Sequence, residues 1–126
     1  MAAQAAAISS SSVATETYFH SCADGKRLEV LRTKTSSSSS KPPLLFVHGS
    51  YHAAWCWEEK FFPYFAALGY ECYAVSLRAQ GGSDRVEGAV AGTLDTHARD
   101  LAGLIKSLPK APVVVSHSFG GLIMQK

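Results

Sequence analysis

The segment that most restricts the fold lies near the end of the chain: Val113-Val114-Val115-Ser116-His117-Ser118-Phe119-Gly120-Gly121. Three β-branched residues after Pro112 predict a short buried strand. Leu122-Ile123-Met124 predicts the opening of a helix. Between them sits a small-x-Ser-x-Gly turn. Where a strand passes straight into a helix around this pattern, the serine is lifted above the carboxyl edge of the sheet as a nucleophile elbow. Its backbone is strained and its hydroxyl is exposed. Residues two before and two after it approach each other closely, so both must be small, and Ser116 and Gly120 meet that demand. The backbone N–H of Phe119 then aims where an oxyanion would form. Alone the pattern is weak; its place after a valine strand makes it informative.

The rest of the chain supplies the other layers. Residues 16–33 predict a hairpin, with Thr17-Tyr18-Phe19-His20 and Leu28-Glu29-Val30-Leu31 flanking the turn pair Asp24-Gly25. Residues 34–42 contain a run of serines and predict a mobile loop. Leu44-Leu45-Phe46-Val47 is a continuous apolar run, suited to a strand covered on both faces. Residues 55–68 carry an apolar helical stripe at Trp57, Phe61, Phe65 and Leu68, with a kink or a restart expected near Pro63 and a stop at Gly69. Residues 70–77 predict a further strand, and 78–92 a Gly-rich connection. Thr93 is placed to cap a helix with Asp95 in its first turn, and Leu94, Ala98, Leu101, Ile105 and Leu108 are its expected buried stripe. Strand, helix, strand, helix, strand is the order of an α/β fold with a mostly parallel sheet flanked by helices, here preceded by a β-hairpin.

Composition narrows the function classes. At 126 residues there is room for one domain, and 47% apolar with 17% charged residues is a globular balance. A net charge of +2 from scattered basic residues gives no footprint for nucleic acid. No apolar run approaches the length of a membrane span. Cys22, Cys56 and Cys72 form no paired motif, which favours reduced thiols in an intracellular compartment. Residues 1–15 are rich in Ala and Ser with no acidic residue before Glu16, which fits a plastid-type transit peptide or a disordered tail, so chloroplast and cytoplasm both stay open. The histidines are not expected to form a metal site, and no cofactor is expected.

Three motifs together resemble the N-terminal half of an α/β-hydrolase fold serine hydrolase. They are similar to the plant branch that includes esterases and hydroxynitrile lyases. The motifs are His48-Gly49-Ser50-Tyr51-His52-Ala53-Ala54-Trp55-Cys56-Trp57, Leu77-Arg78-Ala79-Gln80-Gly81-Gly82-Ser83, and the 116–121 turn. The resemblance implies Ser118 as nucleophile on a small-molecule ester-like substrate, through an acyl-enzyme that water resolves. It implies an oxyanion hole from the backbone N–H groups of Ser50 and Phe119, with Gly49 allowing close approach and His48 bracing the loop. The family commonly has Asp where Ser76 stands and Gly where Ala79 and Ser116 stand. Of the remaining histidines, His117 is expected in the core, His97 in a structural role, and His52 at the pocket mouth.

In this family the triad continues with an acid and then a histidine further along the chain. Residues 119–126 contain neither. The expectation is therefore an incomplete α/β-hydrolase domain over 16–126. As written, the piece is expected to be inactive. A ligand receptor on the same fold, or a noncatalytic interaction fragment, is the alternative.

Overall fold

A computed structural model describes residues 13–34, 40–87 and 92–126. Most of the expected tail and of the serine run lie outside those residues. Five strands form one sheet in the order β1-β2-β4-β3-β5. Strands β1 (Thr15–Ser21) and β2 (Arg27–Thr33) make the hairpin expected from the sequence, in register from Thr15 opposite Thr33 to Ser21 opposite Arg27. Gly25 takes φ +89 in its turn, a conformation open to glycine at little cost. β2 then pairs antiparallel with β4 (Cys72–Val75), whereas β4, β3 (Leu44–Val47) and β5 (Val113–Ser116) run parallel.

Period-two alternation explains why β3 reads as an unbroken apolar run. Leu44 and Phe46 face one layer with Trp57, Phe62 and Ala74, while Leu45 and Val47 face the other with Val75, Leu101, Leu104 and Ile123. On the first face the Phe46 ring lies 5.0 to 6.0 Å from the rings of Trp57, Phe61, Phe62 and Phe65. The stripe expected over 55–68 is broken into two pieces. A 3₁₀ turn, Ala54–Trp57, is followed by a separate helix α1, Phe61–Ala67. Pro63 falls in the first turn of α1, where its missing N–H has no intrahelical partner to lose. Gly69, at φ +91, ends it as expected.

On the second face α2 (Leu94–Ser107) starts at Thr93, whose side chain accepts from the Thr96 N–H. Its buried face is wider and more polar than the expected stripe. Leu101 and Leu104 are buried, and so are His97 and Asp100. The last helix, α3 (Phe119–Gln125), follows β5 after only two residues, His117 and Ser118.

The connections place the chemistry. From β3 the chain crosses by way of α1 to β4 on one side. From β4 it crosses by way of α2 to β5 on the opposite side of β3. The loops after β3 and β5 therefore meet at the carboxyl ends of neighbouring strands at a switch in strand order, where open α/β sheets form their ligand crevices.

Candidate active site

Ser118 sits between β5 and α3 with φ 55 and ψ −116, and it is exposed. Among the described residues only Tyr51, Ala79 and Ser118 are non-glycine residues at positive φ, and each belongs to one of the three motifs. Such conformations cost on the order of 1–3 kcal/mol and persist only where the surroundings hold them. The restraint at Ser118 is visible. The β3–β5 ladder continues one residue past β5, with His117 N–H donating to Val47 O at 3.0 Å. On the helical side the Gly121 and Leu122 N–H groups donate to Ser118 O at 2.9 and 3.3 Å.

Two glycines let the loop after β3 press against this turn. A Cβ on Gly49 would lie 2.9 Å from His117 Nδ1 and 3.2 Å from both His117 O and Ser118 Cβ. A Cβ on Gly120 would meet Val47 O at 2.7 Å and His48 O at 2.8 Å. The tightest demand on Gly120 thus comes from the backbone of β3. A Cβ on Gly121 would stand at an ordinary 3.5 Å from Ser116 Oγ, so a serine at 116 is accommodated.

His48 is buried and joins two loops. Its Nε2 accepts the Leu77 N–H at 2.9 Å, which leaves the ring proton on Nδ1 to donate to Gly49 O at 2.7 Å. Burial pushes its pKa below the usual imidazole value, so the neutral ring is favoured. The 49–52 segment closes on itself with the His52 N–H donating to Gly49 O at 3.4 Å. Ser50 and Tyr51 are exposed, and His52 Nδ1 contacts Ser50 O at 3.0 Å. Among the described residues no backbone acceptor takes the N–H groups of Ser50 and Phe119. A cleft of about 190 Å³ opens beside them, lined by His48, Gly49, Ser50, Leu77, His97 and Phe119 among others. Ser118 is not among its lining residues, so the cleft lies on the Phe119 side of the elbow.

His117 departs from expectation. It is exposed, with its ring edge-on to His52 at 6.4 Å, because β5 is the outermost strand of this sheet and nothing in the described structure covers that position. His97 is buried, edge-on to Phe119 at 5.7 Å, and its Nδ1 has no hydrogen-bond partner among the described residues. Burial lowers its pKa as well. No hydrogen bond joins the Ser118 hydroxyl to an imidazole or a carboxylate among the described residues. No cluster of three potential metal ligands occurs there either.

Sequence reasoning did not anticipate the polar frame beneath the site. Arg78, just past β4, is buried and clasps Asp100 of α2 through Nε at 2.5 Å and Nη2 at 2.8 Å. Its Nη1 reaches Asp24 of the hairpin turn at 2.7 Å. These hydrogen bonds hold the Arg78 pKa above its already high value. The sequence signal was faint: Asp100 interrupts the apolar positions of α2, but nothing local names its partner. Ala79, where glycine is common in the resembling family, stands at φ +63. The departure there costs backbone strain rather than space.

Comparison with known proteins agrees with this geometry. The model of the alpha/beta hydrolase family matches residues 44–126. Methylesterase 1 of Arabidopsis thaliana is 38% identical over 89 residues, covering 69% of this chain and 34% of the relative. Esterase PIR7B of Oryza sativa subsp. japonica is 36% identical over 90 residues, covering 68% and 32%. The chain spans about a third of the length of the curated relatives it matches. Among solved structures, an epoxide hydrolase from Vigna radiata superposes with a TM-score of 0.74 at 22% identity over 87% of this chain and 32% of its own, which bears on the fold alone. A thioesterase domain from the curacin biosynthetic pathway gives 0.74 at 26% identity, over 87% and 38%. With its family match running from β3 to the last residue, over the strands, the loop after β3 and the Ser118 turn, this chain belongs to the alpha/beta hydrolase family.

Proposed function

We propose that the protein carrying this chain hydrolyses small carboxylic esters, with Ser118 as its nucleophile. The observation that carries the reading is the exposed Ser118 at φ 55, ψ −116, with Gly49 packed against its Cβ. That close approach of the loop after β3 to the Ser118 turn supports the reading of the Ser50 and Phe119 N–H groups as oxyanion donors. In the proposed reaction Ser118 Oγ bonds to the ester carbonyl carbon while its proton passes to a base. The carbonyl oxygen takes the electron pair and is held by the N–H groups of Ser50 and Phe119. Collapse breaks the ester C–O bond, and the alcohol leaves with the proton. Water then adds to the acyl-enzyme and releases the acid. His48, neutral and bonded at both nitrogens, braces the loop and takes no proton. The names of methylesterase and esterase relatives support an ester as substrate.

The base and its orienting acid are expected beyond residue 126, in the order acid then histidine, so a polypeptide limited to residues 1–126 should be inactive. The test is hydrolysis of a p-nitrophenyl ester by the product of the complete coding sequence. Ser118→Ala should lower kcat by about 10⁴-fold or more with the fold retained. Turnover that survives this change would disprove the assignment of the nucleophile. An intact protein that binds esters without turnover would favour a receptor.

A further inference from the structure

Glu29, on β2, is tied to the loop after β4 and, through Ser76, to the segment after β3. Its Oε1 accepts the Ser76 hydroxyl at 2.7 Å and the Gly82 N–H at 3.0 Å. Ser76 is fully buried, and with its proton committed to Glu29 it accepts the Ala54 N–H at 2.9 Å. Ser83 closes the array: its Oγ accepts the Glu29 N–H at 2.8 Å and donates to Ser76 O at 2.6 Å. Packing leaves little slack, since a Cβ on Gly81 would lie 2.7 Å from both Glu29 Oε1 and Ser76 Oγ.

Ala54 opens the 3₁₀ turn, and residues 49–53 lie between it and His48. The segment is therefore held at one end by His48 on Gly49 O and at the other by Ser76 on the Ala54 N–H. Between these anchors Tyr51 stands at φ 65, a conformation that relaxes unless both ends are fixed. A serine hydroxyl can donate or accept and rotates to suit its neighbours. Glu29 removes that choice by accepting the hydroxyl's hydrogen bond.

We propose that Glu29 is a positioning residue: through Ser76 it fixes the Ala54 N–H and so holds the far end of the loop that presents Ser50 to substrate. Its catalytic consequence rests on the ester-hydrolase reading; the structural link does not. The test uses the product of the complete coding sequence, with amide exchange followed on the 49–57 segment and kinetics on a p-nitrophenyl ester. Glu29→Ala and Ser76→Ala should each speed exchange at Ala54 by at least about tenfold. Each should lower kcat by about tenfold with KM changed less than about twofold, as expected when a transition-state donor is misplaced. The double variant should be no worse than the singles. Glu29→Gln, which can keep an oxygen in the place of Oε1, should return exchange to within about twofold of the parent.

Unchanged exchange in both alanine variants would overturn the link, as would failure of glutamine to rescue. Faster exchange with unaltered kcat would overturn the positioning role. Should Glu29→Ala not fold, Ser76→Ala decides, because it removes a single oxygen. If the parent protein turns over no ester, the functional reading fails while exchange still decides whether Glu29 acts through Ser76.

Discussion

At the scale of single residues, the site depends on groups with no room to change. Gly120 is the sharpest case. A methyl there would meet two backbone carbonyls of the β3 end, and backbone cannot swing aside as a flexible side chain would. Gly120→Ala should therefore destabilise by about 3 kcal/mol, at the upper end for overpacking, and chemical denaturation would measure it. The two buried imidazoles predict a pH response. Burial depresses the pKa of both His48 and His97 below 6.5, so between that value and the folded pKa the unfolded chain holds more protons. Their contribution to stability is fully present above about pH 6.5 and is lost as the pH falls through the folded pKa. Asp24 and Asp84, whose pKa values are lowered chiefly by hydrogen bonds from Arg78 and Arg27, act only below about pH 4, outside this window. Melting temperatures between pH 7.5 and 5 should fall, and His97→Leu should flatten part of the slope. A profile level across that interval would refute the argument.

At the scale of elements, β5 carries the nucleophile yet pairs only with β3 among the described strands. Val113 is 51% exposed and Leu122 54%, unlike any residue of β3. An uncovered apolar edge is a template for intermolecular pairing. A seven-residue helix such as α3 has little stability apart from its packing. A polypeptide limited to residues 1–126 should therefore oligomerise, and Val113→Lys, which places charge on the exposed edge, should shift it toward monomer in a sedimentation experiment. A monodisperse monomer before the substitution would contradict this account. The split of the 55–68 stripe also belongs here. Its apolar spacing and a restart near Pro63 were legible, but the 3₁₀ form of the first piece was not, because one face of each piece packs on Phe46 and the same periodicity fits both.

Across the molecule, the Arg78 cluster links three segments distant in sequence: the hairpin turn, the end of β4 and the middle of α2. The Arg78 and Asp100 side chains are 7% and 4% exposed, so removing the Asp100 carboxylate leaves a buried cation with only the half-exposed Asp24 as partner. Asp100→Ala should destabilise by about 3–5 kcal/mol, a range typical when one partner of a buried pair is lost. Asp24→Ala should matter far less, since that carboxylate is half exposed and salt-screened. Thermal unfolding of the two variants side by side would separate the cases, and equal losses would refute the ranking.

The layered α/β order, the hairpin with its Asp24-Gly25 turn, the Thr93 cap and the elbow at Ser118 were all determined by the sequence alone. Each rests on local chemistry: alternation, a turn glycine, a side-chain oxygen three residues before an amide, small residues around a serine. What only the tertiary structure decided were relations between segments far apart in the chain. Among the described residues His117 is exposed because its strand is the outermost of the five, although its flanks read like those of a core position. Asp100 is buried because Arg78 arrives from another loop, and Glu29 meets Ser76 because β2 lies beside β4. Local propensity registers the shape of a segment but not the neighbour that closes over it, and a buried charge is stable only by virtue of that neighbour.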